Sequence, residues 1–227
     1  MTIHLVALDI AGTTVDEGGA VYRLLADVVR DHGGEPSDSD VRRWMGADKR
    51  EAISALLGAP ADTVEAVHTE FVERLAAAYA AQPPRPLPGV PYALATLRRS
   101  GVLVALTTGF HRPVTGPLLT AVGWEVGVHL DAVVCADEVT AGRPAPYMIQ
   151  EAMRRTGVDD AAGVLVAGDT VLDVRAGLAA GAGMVVGVLT GAQTRAELER
   201  AGASHVTAGV TDLPGLLGLR AGAPESC

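Results

Sequence analysis

The sequence is poor in aromatic residues, in cysteine and in positive charge. Phe, Trp and Tyr make up 4% of its 227 residues, whereas hydrophobic residues as a whole make up 48%. This composition favours helices packed on a parallel sheet over an aromatic-rich β-sandwich. The formal net charge of −9 argues against nucleic acid as a partner and against a basic membrane-surface protein.

The two cysteines, Cys135 and Cys227, are too few for a disulfide framework, and their spacing is not that of a zinc site. We interpret the first as a buried small hydrophobe and the second as part of a terminal tail. The N-terminal residues lack the basic start and apolar run of a secretion signal. No apolar stretch reaches the roughly 18 residues of a membrane span. We therefore expect a cytoplasmic protein without a membrane partner.

Short apolar runs recur along the chain and predict the buried strands of a parallel sheet. The predicted strands cover 3–9, 102–107, 131–134, 164–168 and 184–188. Helical patterns cover 90–100, 112–122, 145–157, 171–181 and 194–201. This alternation predicts an α/β fold with a doubly wound (Rossmann-like) parallel sheet. Ligands of such sheets bind beyond the carboxyl ends of the strands.

An interruption of about 80 residues separates the first two predicted strands, which is too long for an ordinary crossover. Its pattern is helical over 20–32, 38–57 and 61–81. Glycines precede it and a proline-rich stretch follows it, as expected at the two crossings of a hinge. We predict an inserted α-helical cap domain at 18–87 on a core formed by 1–17 and 88–227. A helical insertion that never moves is the alternative.

Two predicted strands are followed by an acidic residue at the ligand-binding edge of the sheet. Asp9 ends the first strand, and Asp169 follows the fourth, with Asp173 one helical turn further on. Neighbouring strands would bring these carboxylates together, and a cluster of like charges needs a cation. Because the ligands are oxygens, the cation they suit is Mg²⁺.

Two further segments offer groups for a bound anion. Thr107, Thr108 and Gly109 follow the second long strand and supply hydroxyls and backbone donors. Arg143 precedes a predicted helix and supplies a positive fork suited to phosphoryl oxygens. Each feature alone is ordinary, but their order across one sheet indicates a phosphoryl site.

With these motifs the chain resembles the haloacid dehalogenase superfamily of phosphotransferases. The resemblance runs through the whole chain, and its specific motif is Gly168-Asp169-Thr170 with Asp173. It implies that Asp9 is the nucleophile and that Asp173 orients metal-bound water or a neighbouring group. The implied Mg²⁺ ligands are Asp9, the main-chain oxygen of Ala11, and Asp169. The implied substrate-binding residues of the core are Gly12, Thr13, Thr107, Thr108, Gly109 and Arg143.

Two departures from the common superfamily pattern point to one branch. Most of its phosphatases place an aspartate two residues after the nucleophile, as the acid for the leaving oxygen, and here that position is Ala11. A lysine is usual at the position of Arg143. Both departures are shared by phosphonoacetaldehyde hydrolase and its phosphonatase-like relatives, whose motifs resemble 9–16 and 141–144 of this chain.

The same branch uses a lysine of the cap to form a Schiff base. The matching stretch, 45–53, nominates Lys49 as that catalytic residue and Met45 as a substrate contact. If 38–57 is one helix, Lys49 lies on an otherwise apolar stripe, where desolvation favours the neutral, nucleophilic amine. The alternatives are a lysine that extends to solvent from the edge of the stripe, and a helix broken at Gly46.

The resemblance implies cleavage of the C–P bond of phosphonoacetaldehyde or a related 2-oxoalkylphosphonate. Lys49 would form an imine with the substrate aldehyde, and the carbon leaving group would depart as an enamine, so no acid at position 11 is needed. The branch also carries a histidine three residues after the lysine, and here that position is Ala52. This difference leaves the identity of the substrate open. Of the six histidines, His111 follows the Thr107 loop, where a functional role stays open.

Two other functions stay open from the sequence. One is a small-molecule phosphomonoesterase, against which the pairing of Lys49 with Ala11 argues. The other is a non-catalytic phosphoryl-binding regulator, against which the retained Asp9 and Asp169 argue. The expected partner is a small-molecule phosphonate. The alanine-rich face of 61–81 either joins two copies as a homodimer through the cap, as in phosphonatases, or packs inside the cap.

Overall fold

A computed structural model describes residues 2–219, so Cys227 lies outside the described residues. Within that range, a six-stranded parallel sheet forms the core. Its strands are β1 (Leu5–Leu8), β4 (Leu103–Thr108), β5 (Ala132–Cys135), β6 (Val164–Gly168), β7 (Met184–Val188) and β8 (His205–Thr207). They lie in the order β5-β4-β1-β6-β7-β8. The doubly wound α/β prediction is confirmed, although β8 was not among the predicted strands.

Strand β1 lies at the centre of the sheet and is fully buried. Val6 and Leu8 face one hydrophobic layer, while Leu5 and Ala7 face the other. Because successive side chains of a strand point to opposite faces, a strand covered on both sides is apolar throughout. The continuous apolar run therefore marks the middle of the sheet.

Helices cover both faces of this sheet. On one side lie α5 (Val90–Arg99), α6 (Arg112–Ala121) and the short α10 (Leu213–Leu216). On the other lie α7 (Tyr147–Thr156) and α8 (Val171–Ala179), with α9 (Arg195–Ala201) packed beside α8 and β7. Cys135 is buried at the end of β5, as interpreted from the sequence.

Four helices lie between two short strands that pair antiparallel, β2 (Val15–Asp16) and β3 (Arg85–Pro86). They are α1 (Ala20–Asp31), α2 (Asp38–Arg43), α3 (Lys49–Leu57) and α4 (Ala61–Ala81). Leu25, Ile53 and Phe71 fill the space between them without solvent exposure. We call this group the cap; the proposed division into cap and core domains stays a prediction.

The predicted helix over 38–57 is wrong, because the structure divides it into α2 and α3. Gly46 adopts a φ of 84°, which no residue within a right-handed helix adopts. The chain turns there, and Asp48 begins α3 by accepting hydrogen bonds from the main-chain N–H groups of Arg50 and Glu51. Lys49 is therefore the first residue of a helix rather than a member of a continuous apolar stripe.

Helix α4 is long, and its C-terminal half carries exposed alanines. Val64, Phe71 and Leu75 face inward, whereas Ala76, Ala77 and Ala80 are exposed. The pairing of two copies through this face stays a prediction. No helix in residues 2–219 combines the length and the apolar character needed to cross a membrane.

Candidate active site

The strand order brings the predicted residues of the core to one edge of the sheet. Leu8 of β1 is in register with Leu106 of β4 and with Ala167 of β6. The next residue, Asp9, therefore lies between the carboxyl ends of both neighbouring strands, and its main-chain N–H donates to Ala167 across 3.0 Å. Topology alone thus collects side chains that are far apart in the chain, as is usual for ligand sites of parallel sheets.

The guanidinium of Arg143 joins these strand ends. It donates from Nη1 to Oδ1 of Asp9 across 2.7 Å, and its Nε forms an ion pair with Oδ1 of Asp173 at 2.9 Å. Nη2 donates to the carbonyl oxygen and to Oγ1 of Thr107, across 2.8 and 2.9 Å. Arg143 is 3% exposed, so these charge-assisted bonds lie away from solvent. Its contact with a phosphoryl group stays a prediction.

Asp169 is held from two sides. Oδ1 accepts a hydrogen bond from the hydroxyl of Thr13 across 3.1 Å, and Oδ2 accepts one from the main-chain N–H of Ala192 across 2.9 Å. Gly12, with a φ of 83°, lies so close that a Cβ there would come within 2.9 Å of Oδ2 of Asp169. A Cβ on Gly191 would overlap the same carboxylate. Glycine is thus required on both sides of this acid.

Asp173 lies in the first turn of α8 and closes a capping box. Oδ2 accepts from the hydroxyl of Thr170 across 2.5 Å and from its main-chain N–H across 3.1 Å. Burial raises the pKa of Asp173, and the charge of Asp9 adds to this, while Arg143 opposes it. The carboxylate is therefore already paired within the protein, and its role in orienting water or a neighbouring group stays a prediction.

The acidic groups of the site fit a divalent cation. Burial raises the pKa of Asp169, and the nearby charges of Asp9 and Asp173 raise it further. A buried carboxylate among like charges is the electrostatic situation that a cation relieves. Within residues 2–219 no three His, Cys, Asp or Glu side chains converge on a metal position. The predicted set needs only two carboxylates, since the carbonyl of Ala11 and water supply hard oxygen ligands of the kind Mg²⁺ prefers.

The loop after β4 supports the cap. The hydroxyl of Thr108 accepts from the main-chain N–H of Phe110 across 3.1 Å, which shapes the turn. A Cβ on Gly109 would lie 2.5 Å from the carbonyl oxygen of Ala47 and 2.8 Å from that of Gly46. The core loop and the turn between α2 and α3 are therefore in close contact, and the cap covers the site.

Lys49 projects from this turn into a buried position. It is 3% exposed, and its Nζ donates to the carbonyl oxygen of Ala47 across 2.7 Å. Nζ lies over two aromatic rings, 5.6 Å from the centroid of Tyr22 and 5.5 Å from that of Phe110. The broken helix thus places the amine inside the protein, although not by the stripe that the sequence suggested.

The surroundings of Lys49 favour the neutral amine. Burial lowers its pKa from 10.5 to about 8, although the charges of Asp48 and Asp9 act in the opposite direction. Arg143 lowers it further. Nη1 of Arg143 also donates to the carbonyl oxygen of Gly46 across 3.4 Å, so the turn that carries Lys49 adjoins the strand-end site.

Met45 lies in the same turn, but its side chain lines a cleft of about 400 Å³ between α1 and α2. A second cavity of about 350 Å³ adjoins the strand-end site, between Asp169, Glu17 and Ala11. Contact of Met45 with a substrate stays a prediction.

The sequence reasoning missed two elements of the site and one feature of the composition. Tyr22 of the cap accepts a hydrogen bond from the main-chain N–H of Gly46 across 3.1 Å, and no short motif marks it. The segment Thr190–Ala192 follows β7 and could have been found by the rule that ligands bind after parallel strands. The third is compositional: Lys49 is the only lysine of the 227-residue chain, whose 18 cationic residues are otherwise arginines.

Comparison with known proteins gives a family match over most of the chain. Residues 3–181 match the family described as haloacid dehalogenase-like hydrolase. A phosphonoacetaldehyde hydrolase-like protein of Syntrophobacter fumaroxidans is 32% identical over an alignment of 201 positions, which covers 82% of this chain and 72% of the relative. A phosphonoacetaldehyde hydrolase of Bacteroides fragilis is 31% identical over an alignment of 261 positions, which covers 96% of this chain and 96% of the relative.

A solved structure supports the same fold. The phosphonoacetaldehyde hydrolase-like protein of Oleispira antarctica superposes with a TM-score of 0.84 at 24% identity. The superposition covers 96% of this chain and 92% of that one. At this level of identity, the likeness shows that the two chains share their fold.

Proposed function

Since this chain belongs to the haloacid dehalogenase-like hydrolases, in their phosphonatase-like branch, we propose that it hydrolyses the C–P bond of phosphonoacetaldehyde or a related 2-oxoalkylphosphonate. The relatives named above support this substrate class. The proposal includes an aspartyl nucleophile, Asp9, a Schiff base on Lys49, and Mg²⁺ at the strand-end carboxylates.

The observation that carries the proposal is the buried Lys49, whose pKa is lowered to about 8 beside a phosphoryl-type site. At pH 7 about a tenth of such an amine is neutral, whereas an ordinary lysine is neutral to less than about a thousandth. An amine of this kind attacks carbonyl groups. The hydrolysis of a phosphate monoester requires no such amine.

The first step forms the imine. Neutral Nζ of Lys49 adds to the aldehyde carbon, and water leaves with the uptake of one proton from solvent. The product is a protonated imine next to the carbon that bears phosphorus. The positive nitrogen can then accept the electron pair of the C–P bond. Phe110 and Tyr22 enclose the amine and limit its hydration, which keeps it reactive.

The second step transfers the phosphoryl group. A carboxylate oxygen of Asp9 attacks phosphorus, the C–P bond breaks, and its electrons give the enamine of Lys49. Arg143 fixes the orientation of Asp9 through Oδ1. Mg²⁺ bound by Asp9, Asp169 and the Ala11 carbonyl would neutralise phosphoryl charge. One water then hydrolyses the aspartyl phosphate to phosphate, and a second releases acetaldehyde from Lys49 after the enamine carbon is protonated.

This sequence of steps accounts for Ala11. An alkoxide leaving group needs a proton, and loss of the acid that supplies it typically costs a factor of ~10²–10⁴ in rate. The leaving group here is a carbon whose electrons enter a conjugated enamine, so no proton is required at the moment of cleavage.

The test is reductive trapping with borohydride in the presence of phosphonoacetaldehyde. Because Lys49 is the only lysine, peptide mass mapping has to separate only two amines, Nζ and the N-terminus. We expect the wild type to carry an N-ethyl group on Lys49, formed after cleavage. Asp9→Asn should carry a phosphonoethyl group, because its C–P bond stays intact. Lys49→Arg keeps the positive charge and should show neither adduct nor phosphate release.

Three results would contradict the proposal. Phosphonate cleavage that persists in Lys49→Ala without an adduct would exclude the Schiff base. Hydrolysis of phosphate esters that is unaffected in Lys49→Arg, with no action on phosphonates, would indicate a phosphomonoesterase. Mg²⁺-dependent capture of beryllium fluoride by Asp9 without any turnover would indicate a phosphoryl-binding regulator.

A further inference from the structure

A chain of polar side chains crosses from the cap to the core beside Lys49. Asp48 of the cap contacts Nε2 of His111, which lies between the end of β4 and the first residue of α6. Arg50 contacts the same imidazole at Nδ1 and forms a double hydrogen bond with Glu65, with distances of 2.6 and 2.7 Å. The side chains of His111 and Asp48 are only 10% and 13% exposed. The contact is therefore largely shielded from solvent, unlike an ion pair on the surface.

The partners of the imidazole define its tautomer. Arg50 can only donate, so Nδ1 acts as the acceptor and the proton lies on Nε2, which donates to Asp48. The other titratable side chain beside His111 is His68, whose ring centroid lies 5.1 Å away. Asp137 of the core accepts from the main-chain N–H of the next residue, Arg112, and its charge acts on Arg50. Burial lowers the pKa of His68 to about 4, with Arg50 and His111 acting in the same direction. His68 is therefore a neutral neighbour.

The carboxylate of Asp48 binds both the start of α3 and the core histidine. Oδ1 accepts the first main-chain N–H groups of α3, from Arg50 at 2.8 Å and Glu51 at 3.1 Å, while Oδ2 contacts His111. Burial acts to raise the pKa of Asp48, but these donors, His111 first, lower it overall. The core histidine therefore holds the residue that caps the helix on which Lys49 is the first residue.

We propose that His111 is a positioning residue which, through Asp48, fixes the start of α3 and holds the Lys49 amine in its buried place when the cap covers the core. The role rests on the proposed function of Lys49. It also gives the chain a histidine that acts on the lysine from the core, whereas the cap position three residues after Lys49 is the buried Ala52.

A second contact between cap and core provides a matched control. Arg42 of α2 pairs with Glu197 of α9 across 2.8 Å, and the two side chains are 40% and 29% exposed. Its loss removes one contact between cap and core that involves neither Asp48 nor His111. A specific role of His111 predicts that breaking this pair leaves Lys49 unchanged.

The experiment titrates the single lysine by NMR after incorporation of ¹³C-labelled lysine, which gives one Cε resonance. We expect His111→Leu to raise the pKa of Lys49 towards its ordinary value, because α3 loses its hold and water reaches Nζ. Each unit of increase lowers the neutral fraction, and the rate of borohydride trapping at pH 7, by about tenfold. His111→Gln places a donor near the position of Nε2 and should titrate like the wild type. Arg42→Gln should do the same.

The outcomes separate this proposal from the proposed function. Equal titration of wild type and His111→Leu overturns the role of His111, even if the wild type cleaves phosphonates. An equal rise of the Lys49 pKa in His111→Leu and His111→Gln also overturns it, because the loss of the imidazole's shape would then be the cause. An equal rise in Arg42→Gln overturns it too, because any weakening of the contact between cap and core would then have the same effect. A failure of the proposed function appears instead as absent phosphonate cleavage in a wild type whose lysine still titrates differently from that of His111→Leu.

Discussion

Nη1 of Arg143 donates to Oδ1 of Asp9 across 2.7 Å, and both side chains are almost fully buried. The same guanidinium pairs with Asp173. One cation thus balances two buried carboxylates, one at the end of β1 and one in the first turn of α8. Arg143 orients Asp9, and it also stabilises the acidic edge of the sheet, because buried charges without partners are strongly unfavourable.

Loss of this cation should destabilise the protein strongly. We expect Arg143→Met to lower the free energy of unfolding by about 3–5 kcal/mol, since it leaves buried carboxylates without a partner. Urea unfolding in EDTA measures it. The exposed pair of Arg154 with Glu151 is the control, and Arg154→Met should cost less than about 1 kcal/mol. Similar losses in both variants would show that the burial of Arg143 does not matter.

Asp169 should stabilise the protein only when metal is present. Without Mg²⁺, Asp169→Asn removes a buried charge from beside Asp9 and Asp173, so we expect a variant at least as stable as the wild type. Its amide can still accept from Ala192 and donate to Thr13. With Mg²⁺ at 100 times its dissociation constant, the wild type should gain about 2.7 kcal/mol and the variant nothing. Thermal melting with EDTA or with Mg²⁺ measures this reversal, and equal gains in both proteins would remove Asp169 from the metal site.

Much of the core of the fold can be predicted from the sequence, because the apolar runs that mark its strands are local features. The run 3–9 is apolar since β1 is covered on both faces, and Asp9 interrupts it where the strand ends. Strand β8, at the edge of the sheet, has only three residues, and the exposed His205 begins it. So short a run carries no clear periodicity, which is why it was missed.

The residues of the site can be predicted from the sequence only where they follow strands. Asp9, Thr107 and Asp169 meet because β1, β4 and β6 are neighbours, which the order of motifs predicts. The contact of His111 with Asp48 joins residues 63 positions apart, and nothing in either segment marks it. The error over 38–57 is of another kind, because one glycine in a left-handed conformation outweighed a helical pattern on both sides.

Gly109 should be required for closure of the cap. Its φ is compatible with alanine, but the added Cβ would meet two carbonyl oxygens of the cap turn. We expect Gly109→Ala to lower kcat by about 10²-fold, as misplacement of a reacting group by about 1 Å does. Gly116, in α6, has open space around its Cβ position and is the control. Phosphate release measures the effect, and a fully active Gly109→Ala would show that the contact is dispensable.

The pH dependence of activity should report the amine of Lys49. The pKa of Lys49 is about 8, so at a lower pH most of the amine is protonated and cannot attack the aldehyde. We therefore expect kcat/KM for phosphonoacetaldehyde to rise tenfold per pH unit up to about pH 8 and then to level off. A profile already flat at pH 6 would contradict the assignment.

The same group should make the protein more stable as the pH rises. The folded-state pKa of Lys49 lies below its ordinary value of 10.5, so between about pH 8 and 10.5 the unfolded chain binds more protons than the folded one. Below pH 8 both states are protonated, and the burial of the charge carries its full cost. That cost is removed as the pH rises through the interval. Lys49→Met should therefore be more stable than the wild type at pH 7, by roughly 3 kcal/mol, and the difference should shrink by pH 10. Urea unfolding of the pair at both pH values measures it, and a difference that does not change with pH would mean that the lysine is not titrating in a buried place.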